Sequence, residues 1–575
     1  MFKKLFPSIK GYGVPSIFAS LAVIAETVFE VLLPFLMMKI VDVGIANADL
    51  AYVIKVGLLM VVTSLASLFF GIMGARLAAV ASTGFAKNVR GRLFHAIQDF
   101  SFANIDRFST ASLITRLTID VTNTQMAYMI TIRMLVRAPV MMIAATIMAI
   151  RINASLAMIF VVAVPVLAAV IFVLLKVAYP RFGKMLEKYD AMNGQVQEKL
   201  TAIRVIKAFV REDYECHNFE EAASTLRRFQ LRAEKMVILA MPVMMTAMYS
   251  CIIAVLWFGG LQIIGGTMEA GALFSFIGYV AQILMSLMMI SVAFMTLVVS
   301  RASIRRIVEI IDEQPDIADN SDENAPTMAD GSISFSHVDF SYNKDAANLN
   351  LQDINLEIKS GQTIGIIGGT GSAKTTLVQL IPRLYDVLAG SVQVGGHDVR
   401  EYKLDELREN VAMVLQNNLL FSGTIAENLR WGKEDATDEE LIAAAKVAQA
   451  DEFISAMPEG YQTMLGQAGV NLSGGQKQRL CIARALLKHP KIIILDDSTS
   501  AVDTATDARI RAGFKKELAG TTTIIIAQRI SSVMDADQIV VMEEGKISAI
   551  GTHQELLASN KIYAEVFHSQ QKGVA

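Results

Sequence analysis

The sequence predicts two unlike halves: an α-helical membrane domain of six transmembrane helices with long cytosolic extensions, then an α/β domain built on a phosphate-binding loop. Three observations carry this. Hydrophobic residues make up 53% of the 575 residues, charged residues only 19%, and the mean hydropathy is +0.44, too apolar for an ordinary soluble chain. Six apolar segments fill the first half. In the second, short β-rich runs alternate with helical stretches around a glycine-rich turn.

The spans fall at about 14–39, 56–75, 129–150, 154–175, 237–264 and 272–300. Residues 56–75, 154–175, 236–268 and 270–300 carry no charged side chain. Each run reaches the ~20 helical residues that cross a hydrocarbon core of ~30 Å. The first span holds Glu26 and Glu30, the third Arg133 and Arg137, each pair on one helical face. Intramembrane charges are costly and face protein or a watery cavity. The preferred reading is structural salt bridges between these two spans; the alternative is contact with cargo. The 30 methionines suit either a pliable binding surface or a Met-rich bundle.

Outer turns at about 41–53, 151–153 and 265–270 are short, whereas the connections at about 77–128 and 176–235 are long. The second long connection carries Arg181, Lys184, Lys188, Lys199, Arg204, Lys207 and Arg211, which marks the long loops as cytoplasmic. Six spans then put both ends of this half inside. Helical periodicity and few breakers predict that the spans run on into these loops as long helices. Lys3, Lys4 and Lys10 suit an interfacial helix or a solvated tail, and no small-residue cleavage site follows them. The membrane domain is read as 1–311. Residues 312–330, acidic and holding Pro315 and Pro326, read as a solvated linker, and 331–575 as the α/β domain. A net charge of −3 gives no reason to expect nucleic acid. Cys216, Cys251 and Cys481 lack metal or redox spacing.

Ile364-Gly365-Ile366-Ile367 reads as a buried strand and Leu377-Val378-Gln379-Leu380 as helix. Between them lies Gly368-Gly369-Thr370-Gly371-Ser372-Ala373-Lys374-Thr375-Thr376. Backbone N–H groups of such a loop wrap phosphate oxygens, Lys374 reaches the β/γ-phosphates, and the Thr375 hydroxyl ligates Mg²⁺. Asp496 closes the apolar run Ile492-Ile493-Ile494-Leu495 and would hold the same ion. The pattern wants glycine at Ala373, and alanine restricts a backbone that glycine leaves free to wrap phosphate.

With Leu472-Ser473-Gly474-Gly475-Gln476 placed between loop and Asp496, the chain resembles one half of an ABC exporter, a membrane domain fused ahead of an ABC ATPase domain. That resemblance implies ATP and Mg²⁺ as cofactors and a dimer that sandwiches each ATP between one P-loop and the other chain's signature. It implies that Tyr342 stacks on adenine, that Gln416 touches Mg²⁺ and senses the membrane half, and that Asp503 in Ser500-Ala501-Val502-Asp503 sits in the D-loop. It also implies that the loops carrying Asp106-Arg107-Phe108 with Arg116-Leu117-Thr118-Ile119-Asp120, and Ile203 to Phe209, dock short coupling helices onto the ATPase domains. Gly466-Gln467-Ala468-Gly469 lacks the acidic residue usual before the signature. Two catalytic positions differ as well: Asp497 stands for the usual glutamate and Gln528 for the usual histidine.

A shorter carboxylate misplaces the general base by ~1 Å, and glutamine cannot carry a proton. Together with Ala373 these changes predict a degenerate site that binds ATP and hydrolyses it poorly. The expected partner is a second half-transporter, in a heterodimer; an active homodimer and an ATP-gated channel or regulator are the alternatives. The expected location is the cell membrane, with both termini and the ATPase domain cytoplasmic. The sequence leaves the cargo open among hydrophobic drugs, lipids and peptides.

Overall fold

The computed structural model describes residues 2–498 and 504–572, so Asp503 and its D-loop lie outside the described residues. The chain forms two compact units, one of residues 1–98 with 109–313, the other of 99–108 with 314–575.

Among the described residues of the first unit, six helices are long and apolar enough to cross a membrane: Gly13–Ile45, Leu50–Gln98, Thr110–Ile152, Ala154–Thr201, Glu212–Ile264 and Ala270–Asp312. The 49 residues of Leu50–Gln98 span ~74 Å at 1.5 Å per residue, more than twice a ~30 Å hydrocarbon core. The long helical extensions read from the sequence are therefore present. The first outer turn is shorter than expected. A π-helical turn carries the chain to Ile45 and the next helix starts at Leu50; both flanks are apolar enough to stay helical. The interior is aromatic and aliphatic, with Phe160 and Phe276 stacked at 6.1 Å and Tyr279 donating to the Val31 carbonyl at 3.1 Å.

Arg137 lies between the two acids of the first span. It pairs with Glu26 and, at 2.6 Å, with Glu30. One guanidinium fork reaches both carboxylates, so Arg133 forms no ion pair with them among the described residues. Gly71 makes room: a Cβ there would lie 3.1 Å from Glu26 Oε1. The N-terminal segment is pinned rather than solvated. Leu5 is buried, Lys4 pairs with Asp312 at 2.6 Å, and Arg92 donates to Ser8 Oγ at 2.9 Å.

The second unit holds twelve strands among the described residues: β1 Ile333–Phe340, β2 Leu351–Ile358, β3 Thr363–Gly368, β4 Ala389–Val394, β5 His397–Asp398, β6 Val411–Val414, β7 Gly423–Thr424, β8 Met464–Leu465, β9 Ile492–Asp496, β10 Thr522–Ile526, β11 Gln538–Glu543 and β12 Lys546–Gly551. The main sheet runs β12-β11-β3-β10-β9-β6, parallel except for β12. β9 is buried at all five positions, as a strand covered on both faces must be. A four-stranded antiparallel sheet, β2-β1-β4-β5, packs with it around Phe340, Ile364 and Tyr402. β7 and β8 pair beside a helical region whose core includes Leu429, Leu441 and Leu480.

The stretch read as a solvated linker is partly packed. Ile317 is 8% exposed and Met328 2%, because two apolar side chains in an acidic run find the core of this unit. Residues 99–108 also group here. Their helix, Phe102–Phe108, sets Phe102 6.1 Å from the Tyr385 ring and Asp106 as acceptor from Tyr385 Oη at 2.9 Å.

Candidate nucleotide-binding site

The site is built at the carboxyl ends of four adjacent parallel strands, where ligands bind in open α/β sheets. β3 feeds the glycine-rich loop, β9 ends at Asp496, β10 leads into Gln528 and β6 into Gln416. The β10–β9 register sets Ile526 opposite Asp496. That register brings residues 528 and 497 together although about thirty residues separate them.

In the loop, a Cβ on Gly368 would collide with the Met542 carbonyl, and Gly371 has φ +83°; both positions need glycine. Ala373 also has a left-handed backbone, φ +67° and ψ 26°, at the N-cap of the Lys374–Gln379 helix. An L-residue there carries ~1–2 kcal/mol of strain, so the alanine departs from the expected glycine at a position that uses glycine's freedom. Lys374 Nζ donates to the Gly368 and Gly369 carbonyls at 3.0 and 2.8 Å and to Ser372 Oγ at 3.3 Å. Burial pushes its pKa down, opposed by the Asp496 and Asp497 charges.

Thr375 Oγ1 donates to Asp496 Oδ2 at 2.8 Å. Asp496 is 2% exposed, and burial lifts its carboxyl above the ordinary range while Thr375 pulls it back. A hydroxyl and a carboxylate, both hard oxygen donors, fit Mg²⁺. Gln416 is exposed just beyond β6.

Asp497 and Gln528 are bonded to each other: Gln528 Nε2 donates to Asp497 Oδ2 at 2.8 Å. Asp497 sits at φ +49° and its own N–H donates to the Ile526 carbonyl at 3.0 Å. The backbone thus fixes the root of the carboxylate, and a neutral amide occupies one of its oxygens.

Tyr342 is 40% exposed, edge-on to Phe340 and Tyr385, and its hydroxyl lies 2.9 Å from Thr376 Oγ1. This holds the ring upright beside the loop. Tyr385 and Asp106 brace it from behind, a link no sequence pattern signalled. Burial raises the Tyr342 pKa.

The signature segment heads the helix Gly474–Leu486, with Leu472 buried beneath it. Ser473 and Gln476 form a capping box: Ser473 Oγ accepts from the Gln476 N–H at 3.3 Å, and Gln476 Oε1 accepts from the Ser473 N–H at 2.9 Å. The cap uses an oxygen lone pair of Ser473 and leaves its O–H able to donate. Ahead of it, Lys477 Nζ donates to the Ala468 carbonyl at 2.9 Å, tying the Gly466–Gly469 segment to the signature helix.

The comparisons with known proteins agree with this architecture. Residues 16–287 match the ABC transporter transmembrane region and residues 351–500 the ABC transporter family. An uncharacterized ABC transporter ATP-binding protein of Bacillus subtilis (strain 168), YfiB, is 37% identical over 99% of this chain and 98% of its own length. The chain belongs to the ABC transporter family. This ABC transporter is also 31% identical to the ATP-dependent lipid A-core flippase of Desulfotalea psychrophila (strain LSv54 / DSM 12343), over 99% of each chain. In fold it is similar to a bacterial Atm1-family ABC exporter with ATP bound, at TM-score 0.84 and 24% identity, over 97% of this chain and 98% of that one. It is a multi-pass membrane protein whose ABC ATPase domain binds and hydrolyses ATP.

Proposed function

We propose that this ABC transporter exports cargo across a bacterial cell membrane by alternating access, as the degenerate-site subunit of a heterodimer. The observation that carries this reading is the Asp497–Gln528 hydrogen bond. A base must reach the attacking water within ~3 Å. Here the carboxylate is one methylene short, backbone-anchored, and engaged by an amide that can neither accept nor relay a proton. Strain at Ala373 adds to the handicap.

Gly368 to Thr376 and Tyr342 would hold this chain's ATP, with Lys374 countering phosphate charge. Mg²⁺, held by Thr375, Asp496 and Gln416, would polarise the phosphates when bound. Ser473, Gly474 and Gly475 would complete the partner's site through the serine O–H and the helix N-terminus; Asp503 would complete the D-loop. In the second long loop, Phe209 and Val210 are 74% and 82% exposed beside the short helix Ile203–Ala208. Such a bare apolar turn suits docking on another subunit's ATPase domain. The basic loops support a cytoplasmic ATPase domain and termini. In this reading residues 1–311 carry the cargo pathway, 331–575 bind the nucleotide, and 312–330 join the two.

The test crosses subunits. In the assembled heterodimer, Gly474→Asp aims a negative group at the partner's γ-phosphate, where donors are needed, and should largely abolish ATPase and transport. Asp497→Asn should lower both only modestly. Equal damage from the two would mean equivalent sites.

A further inference from the structure

Two cavities of the membrane unit meet at one residue. The first, about 440 Å³, is lined by Arg181 and Lys184 of the Ala154–Thr201 helix and by Arg232 and Lys235 of the Glu212–Ile238 helix. The second, about 250 Å³, is almost wholly apolar and is lined by Met236, Met241, Met244, Met288 and Met295. Met236 belongs to both.

The four cations are not neutralised by the protein. None of them forms an ion pair among the described residues. Glu234, beside Lys235, accepts from Gln230 Nε2 at 2.7 Å, and neither it nor Glu187, three residues from Lys184, forms an ion pair with any of the four among the described residues. Arg232 rests over the Phe229 ring at 5.8 Å. Each helix presents its two cations three residues apart, hence on one face, and the faces converge. A bias that only oriented the spans would need basic residues in the loop, not four of them around one cavity. Gathered unpaired, they repel one another, and an anion would relieve that.

The apolar cavity has the complementary character. Ser291 and Thr296 also line it, but their hydroxyls donate back to the Leu287 and Val292 carbonyls at 2.9 and 3.0 Å. What remains is methionine and aliphatic surface, which moulds to flexible chains. The cavities follow each other along the helices at the point where charged sequence gives way to apolar sequence. Lys235 and Met244 lie nine residues apart across the joint between the helices Glu212–Ile238 and Ala240–Ile264, at most ~14 Å at 1.5 Å per residue, room for a headgroup followed by the upper part of its acyl chains.

We propose that these cavities form one binding site for an anionic phospholipid of the cytoplasmic leaflet, with its phosphate on Arg181, Lys184, Arg232 and Lys235 and its acyl chains among the methionines. The leaflet assignment rests on the cytoplasmic placement of the basic extensions proposed above; the chemistry of the site does not.

Native mass spectrometry of the delipidated full-length protein, titrated with dioleoyl phosphatidylglycerol or dioleoyl phosphatidylcholine, tests this. The wild type should prefer the anionic lipid by about tenfold or more, since clustered basic residues attract an anionic headgroup over a zwitterionic one. Arg181→Gln/Lys184→Gln/Arg232→Gln/Lys235→Gln should lose the preference, whereas Arg181→Lys/Arg232→Lys should keep it. Met288→Trp, which fills the apolar cavity, should weaken the dioleoyl lipid and spare dihexanoyl phosphatidylglycerol. Unchanged melting temperature and MgATP affinity show that each variant is folded; should the fourfold variant fail this check, Met288→Trp decides alone. Equal affinity for the two headgroups, or no effect of Met288→Trp, overturns the site. Displacement by inorganic phosphate as effective as by lipid would make it an anion site and overturns the lipid assignment. Sidedness is read separately: Cys216 is exposed on the Glu212–Ile238 helix and should react with an impermeant maleimide only in inside-out vesicles. Labelling from the outside would overturn the leaflet while leaving the lipid titrations to stand or fall on their own.

Discussion

Replacing Arg137 by methionine should destabilise the membrane domain severely, and neutralising its two partners should undo the damage. Arg137 bridges Glu26 and Glu30, whose side chains are only 12% and 34% exposed. Glu26 Oε2 already lacks a hydrogen-bond partner among the described residues, so no spare donor there waits to replace the guanidinium. Removing one member of a buried ionic cluster costs ~3–5 kcal/mol, because the remaining charges stay buried. At ~2–4 °C per kcal/mol for a large domain, the loss is ~6–20 °C in apparent unfolding temperature. Replacing a whole buried cluster is close to neutral, so Arg137→Met/Glu26→Gln/Glu30→Gln should recover most of it. The assay is the temperature at which half the detergent-purified protein leaves the monodisperse peak. A single variant within ~2 °C of wild type, or a triple variant no better than the single, would refute the structural role. A changed transport spectrum at unchanged stability would instead put the carboxylates in contact with cargo.

Ala373→Gly should stabilise the ATPase domain by ~0.5–1 kcal/mol, the left-handed strain of ~1–2 kcal/mol less glycine's extra backbone entropy; a lowered unfolding temperature would show that the strain reading is wrong. Asp497→Glu and Gln528→His should act together, because lengthening the acid alone drives it into an amide 2.8 Å away. A double-mutant cycle on single-site turnover should therefore show a coupling of ~0.5–3 kcal/mol, and strictly additive effects would argue against a functional dyad.

The sequence made the six spans legible because their apolar runs are long and nearly free of charge, and the phosphate loop legible because its residues are contiguous. What it hid depends on distance or on isolated side chains. Ile317 and Met328 sit singly in an acidic stretch and give no periodic signal, yet both are buried. Glu26, Glu30, Arg133 and Arg137 show the same four-residue spacing, and only the packed helices reveal that Arg137 serves both acids. Residues 497 and 528 were each conspicuous, but their bond follows from the β9–β10 register. Tyr385 carries no pattern of its own, and its bond to Asp106 joins residues 279 apart, beyond any local signal.

The degenerate-site proposal requires that this chain's own site bind ATP but turn it over poorly. Its most direct test is steady-state MgATP hydrolysis by the purified chain alone, verified as a dimer of itself and saturated with nucleotide. MgATP should bind tightly through Lys374, Thr375 and Asp496, with turnover well below ~1 s⁻¹, the lower edge of ordinary enzyme rates. Turnover at or above ~1 s⁻¹ from the unaltered chain would contradict it.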